Sequence, residues 1–444
     1  MDTILERAKA LKQRLTDFVL EAEGDTAIAL ETFSADQSTR SYQSELHQRN
    51  LVVDRFLVEG TVNDTTPIQL FLEQLDAPTE GDRALLQSWH RAFIGLFEIV
   101  QVLPDGFELL NWTTAKHYRV KPLDGTAWQT MARLKVGEIL LTQIAPLTDN
   151  EWILFSDWTS LGKLGKPKLA VAIGNFKKAY PAFLYSDAPE LEAEAWRSVE
   201  HYHQDFLDFF GSDEVTLPGY QFSKKLAEFQ TYITQKQTES AGLDESLTLA
   251  ELAEKTGTSK DELTATAEAL GADRKTITQM LDSRASTKMV APQVELPTHL
   301  KQAEQVTALT HPQWGQLFLT LYQAFKTLLE SDDWQTNPNT EKQTLQFLEN
   351  AEVNSFVWHR LATHYPTVLQ SILQVVLKRP EFNLQQDLDA LLLENKKSLK
   401  PTLPEIASVP LHLHELFQDA VLEVSKDRSK SKVKQPKSGF GRRK

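Results

Sequence analysis

Apolar residues recur three and four positions apart at the start of the chain, at Leu5, Ala8, Leu11, Leu15 and Phe18. That spacing predicts an amphipathic helix. "YQSELHQRNLVVDRFLVEG" repeats it, with Leu46, Val53, Phe56 and Leu57 on one side and a stop at Gly60. Asp64 or Thr65 is placed to cap a short helix with Pro67 in its first turn. Leu85, Leu86, Trp89 and Phe93 continue at helical spacing, so residues 1–94 read as an N-terminal helical region.

From about Gly95 the period changes. "FEIVQVLPDGFELLNW" holds two apolar runs around Pro104-Asp105-Gly106, a good turn sequence. "KHYRVKPL" alternates, and "VGEILLTQIAPLTDNEWILFSDW" gives two more strands around Thr148–Glu151. The pattern predicts a small β-domain over 95–180, a barrel or a highly curved sheet of five or six strands. Residues 188–240 return to helix as a pair joined by the turn-rich "GSDEVTLPG". Polar, Pro-punctuated linkers flank residues 244–284. Residues 296–424 read as a C-terminal helical domain, with Trp314, Phe318, Leu321, Phe325 and Leu328 on one face and breaks at Pro366, Pro380 and Pro401–Pro410. The last segment, 425–444, has the low-complexity composition of a disordered basic tail. No internal repeat of constant period is found. The expected fold class is a multi-domain α+β chain, predominantly helical, with one small antiparallel barrel-like domain.

Within 247–281, "LAEKTGTSKDEL" resembles the helix-turn-helix group. Leu252 and Ala253 would pack inward, Gly257 would make the turn, Ser259 would cap the second helix and Leu263 would pack it back. The resemblance covers about 35 of 444 residues and implies a helix pair. Charge argues against reading DNA. Residues 244–284 hold nine acidic side chains against five basic ones, Lys255, Lys260, Arg274, Lys275 and Arg284. A face of that sign forfeits the counterion release that drives binding to phosphates. Sequence-specific DNA is therefore not expected, and a packing or protein-contact module is. Arg274 and Lys275, in the third element, remain candidates for phosphate contact.

Length and charge refine the picture. A chain of 444 residues suits two to four domains, and 41% hydrophobic with 24% charged residues is ordinary for a soluble protein. With no cysteine, disulfides and thiolate chemistry are excluded. The N-terminal segment, with Asp2 and Glu6, lacks the apolar core of a signal peptide. No run approaches the roughly 18 apolar residues of a membrane span. The expected location is cytoplasmic, with peripheral membrane contact allowed. Net charge is −14. The final twenty residues carry nine Lys or Arg and one Asp; taking that +8 from the total leaves −22 on the other 424. An acidic body repels nucleic acid and anionic lipid, and a basic tail attracts both.

Catalytic motifs are incomplete. His201 and His203 in "HYHQD" point about 200° apart on a helix and cannot share a metal there. "LHLHELF" starts like a zinc-protease HExxH, but Gln418 stands where the second His belongs. His359 and His364 read as cap or surface residues. "LGKLGKPK" departs from a P-loop at Ser160 and Pro167. No cofactor is expected.

Two basic constellations are candidates for nucleic acid. Lys163, Lys166, Lys168, Lys177 and Lys178 close the β region, whose strands carry Trp112, His117, Tyr118, Arg119, Trp152 and Trp158. Basic and aromatic side chains on a small barrel can hold single strands; the alternative is aromatic core and solubilising lysines. The tail offers Lys430, Lys432, Lys434, Lys437, Arg442, Arg443 and Lys444 for RNA or an anionic membrane, or as a solubilising end. The leading expectation is a non-enzymatic interaction or assembly factor with a protein partner. An RNA- or ribosome-associated binder is the alternative, and an enzyme with a site assembled from distant residues is a third.

Overall fold

The computed structural model describes residues 3–38, 45–75, 77–123, 133–241, 289–292 and 294–433. The helix-turn-helix-like segment, Arg274, Lys275, and the tail from Lys434 lie outside them. The chain is a mostly helical α+β protein that divides into two units, one built from residues up to Glu192 together with those from His412, the other from Ala193–Leu411. These units group the chain differently from the expected segments: helices and barrel share the first, and the helix pair joins the later helices in the second.

The first unit opens with α1 (Thr3–Leu20), α2 (Asp25–Ser38), α3 (Glu45–Glu59), α4 (Pro67–Gln74) and α5 (Glu80–Ser88). The α4 cap falls at Thr66, whose hydroxyl accepts the Gln69 N–H, one residue later than expected. Thr79 and Asp82 form a capping box at α5, which satisfies two otherwise orphaned N–H groups. Leu11, Leu15, Phe56, Leu57, Ile68 and Trp89 are buried where these helices meet.

The barrel follows: β1 (Phe93–Leu103), β2 (Gly106–Asn111), β3 (His117–Lys121), β4 (Ile139–Pro146), β5 (Trp152–Leu154) and β6 (Thr159–Gly162). β1 pairs with β4 along Phe93–Glu98 and with β2 along Phe97–Leu103, with a register shift between Ile99 and Gln101. A bulge bends one long strand so that it serves two neighbours and closes the sheet. The closed order is β1-β2-β3-β5-β4, and β6 extends β4. The barrel is not purely antiparallel as expected, because the chain crosses over and sets β5 parallel to β3. Residues Lys166–Ala179, assigned above to the β-domain, form a helix, α6, which buries Leu169, Ile173 and Phe176 at helical spacing.

The second unit holds most of α7 (Pro189–Phe210), then β7 (Glu214–Leu217), α8 (Gly219–Ala241), β8 (Met289–Val290), α9 (Thr298–Lys301), β9 (Val306–His311) and β10 (Gly315–Leu319). Helices α10 (Tyr322–Glu330), α11 (Thr340–Glu349), α12 (Ser355–His364), α13 (Pro366–Val376) and α14 (Leu384–Glu394) follow, with β11 (Val409–Pro410) against β8. β10, β9 and β7 form an antiparallel sheet between two cores. Val306, Ala308 and Phe318 face α7 and α8, while Leu309, Leu317 and Leu319 face α10–α14. The helical reading of Trp314–Leu328 is therefore corrected. Trp314 sits in a hairpin turn, Phe318 is on a strand, and the helix starts at Tyr322. α15 (Leu411–Val433) returns to the first unit, and its backbone is helical through 425–433, where a disordered tail was expected.

Candidate functional site

The barrel has an inside, two covered outer faces and one open outer face. Inside, Phe97, Phe107, Leu109, Tyr118, Val120, Leu140 and Ile144 fill the core. Tyr118 and Trp152 meet edge to face with centroids 5.0 Å apart. Outward Ile139 and Leu141 of β4 are covered by α6 and α15; Ala145, with Ile153 and Phe155, is covered by the N-terminal helices. Among the described residues the open face belongs to β2 and β3 and the turns beside them. Alternation along these strands sends Glu108, Leu110, His117 and Arg119 outward.

This face is ionic, and its charges are matched. Arg119 donates to both carboxylate oxygens of Asp105, at 3.1 Å each, and lies 3.5 Å from Glu151. Lys121 donates to Glu151 at 2.9 Å and approaches Asp105 at 3.5 Å. Asp105 sits in the β1–β2 turn and Glu151 in the β4–β5 turn, so both turns reach over β3. Burial pushes the Asp105 carboxyl up, but Arg119 and Lys121 prevail and hold it below the usual carboxylate range. His117 Nδ1 lies 2.9 Å from Glu108. Trp112 donates its indole N–H to Glu98 at 3.0 Å. At the barrel's side, Asp187 accepts from Arg91 at 2.9 Å and from the Tyr118 hydroxyl at 3.3 Å.

The predicted lysines lie elsewhere. Lys163 precedes α6, Lys166 and Lys168 occupy its first turn, and Lys177 and Lys178 its last. Ten residues of helix put those ends about 15 Å apart. The five do not form one patch with the barrel aromatics: Tyr118 and Trp152 are core, Trp158 is half-buried against that core, and Trp112 is half-buried against the cluster beneath α6. Lys430 and Lys432 belong to α15. Lys434, Lys437, Arg442, Arg443 and Lys444 fall outside the described residues.

Sequence reading missed a second charged cluster, in the second unit. Arg360 of α12 donates to Asp213 at 2.6 and 3.0 Å and to Glu214 at 3.2 Å. Glu214 also accepts from Lys326 at 2.6 Å and from the Tyr322 hydroxyl at 2.9 Å. Burial raises both carboxyls, yet Arg360 at Asp213 and Lys326 at Glu214 hold each below its ordinary value. His203 and His311 lie in the field of Asp213, and burial lowers both imidazoles. Each carboxylate is saturated by a cation, so neither is poised to take a proton. The cluster ties β7 to α10 and α12.

Four further histidines have structural partners. His412 donates to the Trp112 carbonyl at 2.8 Å, and His414 accepts from Gln418 at 2.7 Å. His359 donates to the Ser355 carbonyl at 2.8 Å, and His364 to that of Arg360 at 2.7 Å. Among the described residues no group of three or more His, Asp or Glu side chains is placed to hold a metal. Nor is any helix there long and apolar enough to cross a membrane. No family model, curated protein or solved structure matches the chain.

Proposed function

We propose that this chain is a non-enzymatic interaction factor that takes a protein partner on the open β2–β3 face of its barrel. The observation that carries the reading is the charge pairing there: Arg119 and Lys121 are both neutralised by Asp105 and Glu151. In OB-type five-stranded Greek-key barrels, strands 2–3 and the flanking turns form the usual binding surface. A single nucleic-acid strand on such a surface needs unmatched cations and outward aromatic rings. Here acids from both turns meet the cations, and the rings of Tyr118 and Trp152 point inward. A surface of paired ions with Leu110 and an arginine is instead suited to a protein rim, where charges set register and partner choice.

The test is capture with tagged full-length chain and with a chain ending at residue 424, each with and without nuclease. A variant carrying His117→Ala and Arg119→Ala, both half-exposed, probes the face. The expected result is one stoichiometric protein that survives nuclease, is retained by the shorter chain and is lost by the variant. A catch of RNA that disappears with nuclease or with the tail overturns the reading, as does a protein partner indifferent to the two substitutions.

A further inference from the structure

The covered outer face of β4 is interrupted by one polar residue, Gln143. Leu141 and Ala145, two positions to either side of it, belong to apolar clusters, and Ile94 stands beside it on β1. On the other side the register Ala145↔Ile153 and Ile144↔Leu154 continues to Phe155, whose N–H donates to the Gln143 carbonyl at 2.9 Å. Ile144 and Leu154 fill the barrel, so Gln143 and Phe155 both point out of it. Directly opposed residues of an antiparallel pair hold their Cβ atoms about 5 Å apart. Gln143 is 0% exposed, and neither its Nε2 nor its Oε1 has a partner among the described residues.

Other polar groups gather at Phe155. The indole of Trp89, also 0% exposed, meets the Phe155 ring edge to face at 5.2 Å, and its Nε1 is likewise without a partner among the described residues. The Lys12 ammonium lies 5.1 Å from the centre of the same ring and 3.0 Å from the Asp54 carboxylate. Asp157, two residues past Phe155, adds to the field at Asp54. An unpaired amide, an unpaired indole N–H and an ion pair thus surround one ring, where α1, α3 and the short turn Trp89–Arg91 meet the barrel.

These groups define what they would take. Trp89 Nε1 and Gln143 Nε2 can only donate, and Gln143 Oε1 can only accept. A cation would face both N–H donors and the Lys12 ammonium. An anion would face Asp54 and Asp157. Lys12 and Asp54 already neutralise each other, so the complementary group is uncharged and both accepts and donates. Ile94, Ala145, Phe155 and Trp89 are all buried around Gln143, which restricts that group to the size of a solvent molecule. Buried polar atoms that lack a protein partner are ordinarily bridged by ordered water, because leaving them bare forfeits their hydration. We infer that an internal water links the Gln143 amide of β4 to the Trp89 indole, as a structural ligand beneath the N-terminal helices.

The test joins a crystal structure of the full chain to oxygen-17 relaxation dispersion of its water. Dispersion is compared between the parent and Gln143→Met, which keeps the length of the side chain and removes its polar atoms. The crystal should show a water within about 3.2 Å of both Trp89 Nε1 and the Gln143 amide. The variant should lose the amplitude of about one long-lived water. Its urea midpoint should fall, because the Trp89 N–H is left without its bridge. A direct hydrogen bond from Gln143 to Trp89, or to any other protein group, overturns the inference. So does an unchanged dispersion amplitude. A rise in the midpoint overturns it too, since that is the sign expected when a dry, unpaired amide is removed. Should Gln143→Met fail to fold, the crystal structure of the parent decides alone.

Discussion

At the residue scale, buried Asp54 and half-buried His311 set opposite pH dependences. Asp54 of α3 is 6% exposed, and its carboxylate lies 3.0 Å from the Lys12 ammonium. Burial dominates over Lys12 and pushes the carboxyl up to about 6. A raised acid binds its proton more readily folded than unfolded. Its stabilising contribution is thus full below pH 3.8, the ordinary value, and is lost as pH rises through about 6. A shift of roughly two units corresponds to at most about 3 kcal/mol. His311 runs the other way. Its Nδ1 accepts the backbone N–H groups of Gln313 and Trp314 at 3.0 and 3.3 Å, which protonation would forbid. Burial lowers its pKa from 6.5, so its contribution is present above that pH and lost as pH falls through the lowered value. Asp54→Asn should therefore remove a loss of stability between about pH 4 and 6, and His311→Asn should soften a loss below 6.5. Urea denaturation across pH 4 to 8 checks both. Identical pH profiles for either variant and the parent would contradict the corresponding assignment. Neither group was legible in the sequence. Asp54 looks like any polar position of a helix, and His311 acquires its role only when the turn after β9 folds onto it.

At the element scale, legibility followed how far each pattern depended on residues nearby. The N-terminal helices and most barrel strands were readable because their own turns, such as Pro104-Asp105-Gly106, punctuate them. The β9–β10 hairpin was not. Trp314, Phe318, Leu321, Phe325 and Leu328 keep helical spacing, yet Pro312 and Gly315 break the segment. Gly315 adopts φ +69°, and a Cβ there would stand 2.5 Å from the Pro404 side chain. The charged face of the barrel was half legible. "KHYRVKPL" showed the cations, but Asp105 reaches them only once β2 pairs with β3, and Glu151 only after the crossover sets β5 beside β3. The Arg360 cluster was invisible because its members come from α7, β7, β9, α10 and α12. Gly315→Ala combines strained backbone with a clash and should destabilise the second unit by about 2–4 kcal/mol. A melting curve unchanged from the parent would contradict the hairpin geometry.

At the scale of the whole molecule, the first unit is closed by the chain's last described helix. The cores around Phe325 and Trp358 and around Phe206 and Phe229 draw their buried residues from within 193–411. The core behind β1 and β4 does not have that continuity. Ile94, Leu96, Ile139, Leu169, Ile173 and Phe176 pack with Leu413 and Leu416, and His412 bonds the Trp112 carbonyl. A fragment ending at residue 192 loses both leucines from that core. At about 1.5–3 kcal/mol for each buried leucine, the loss is roughly 3–6 kcal/mol, a large share of the 5–15 kcal/mol that holds an ordinary domain folded. Residues 189–411, which keep α7 whole, should thus melt cooperatively as an isolated fragment. Residues 1–192 should be markedly destabilised, and a synthetic peptide of residues 411–433 should restore part of the lost melting temperature. Paired thermal melts followed by circular dichroism decide the matter. If residues 1–192 melt as they do in the intact chain and ignore the peptide, the α15 contacts contribute little to that core. If residues 189–411 fail to fold, the second unit depends on groups beyond its own two cores.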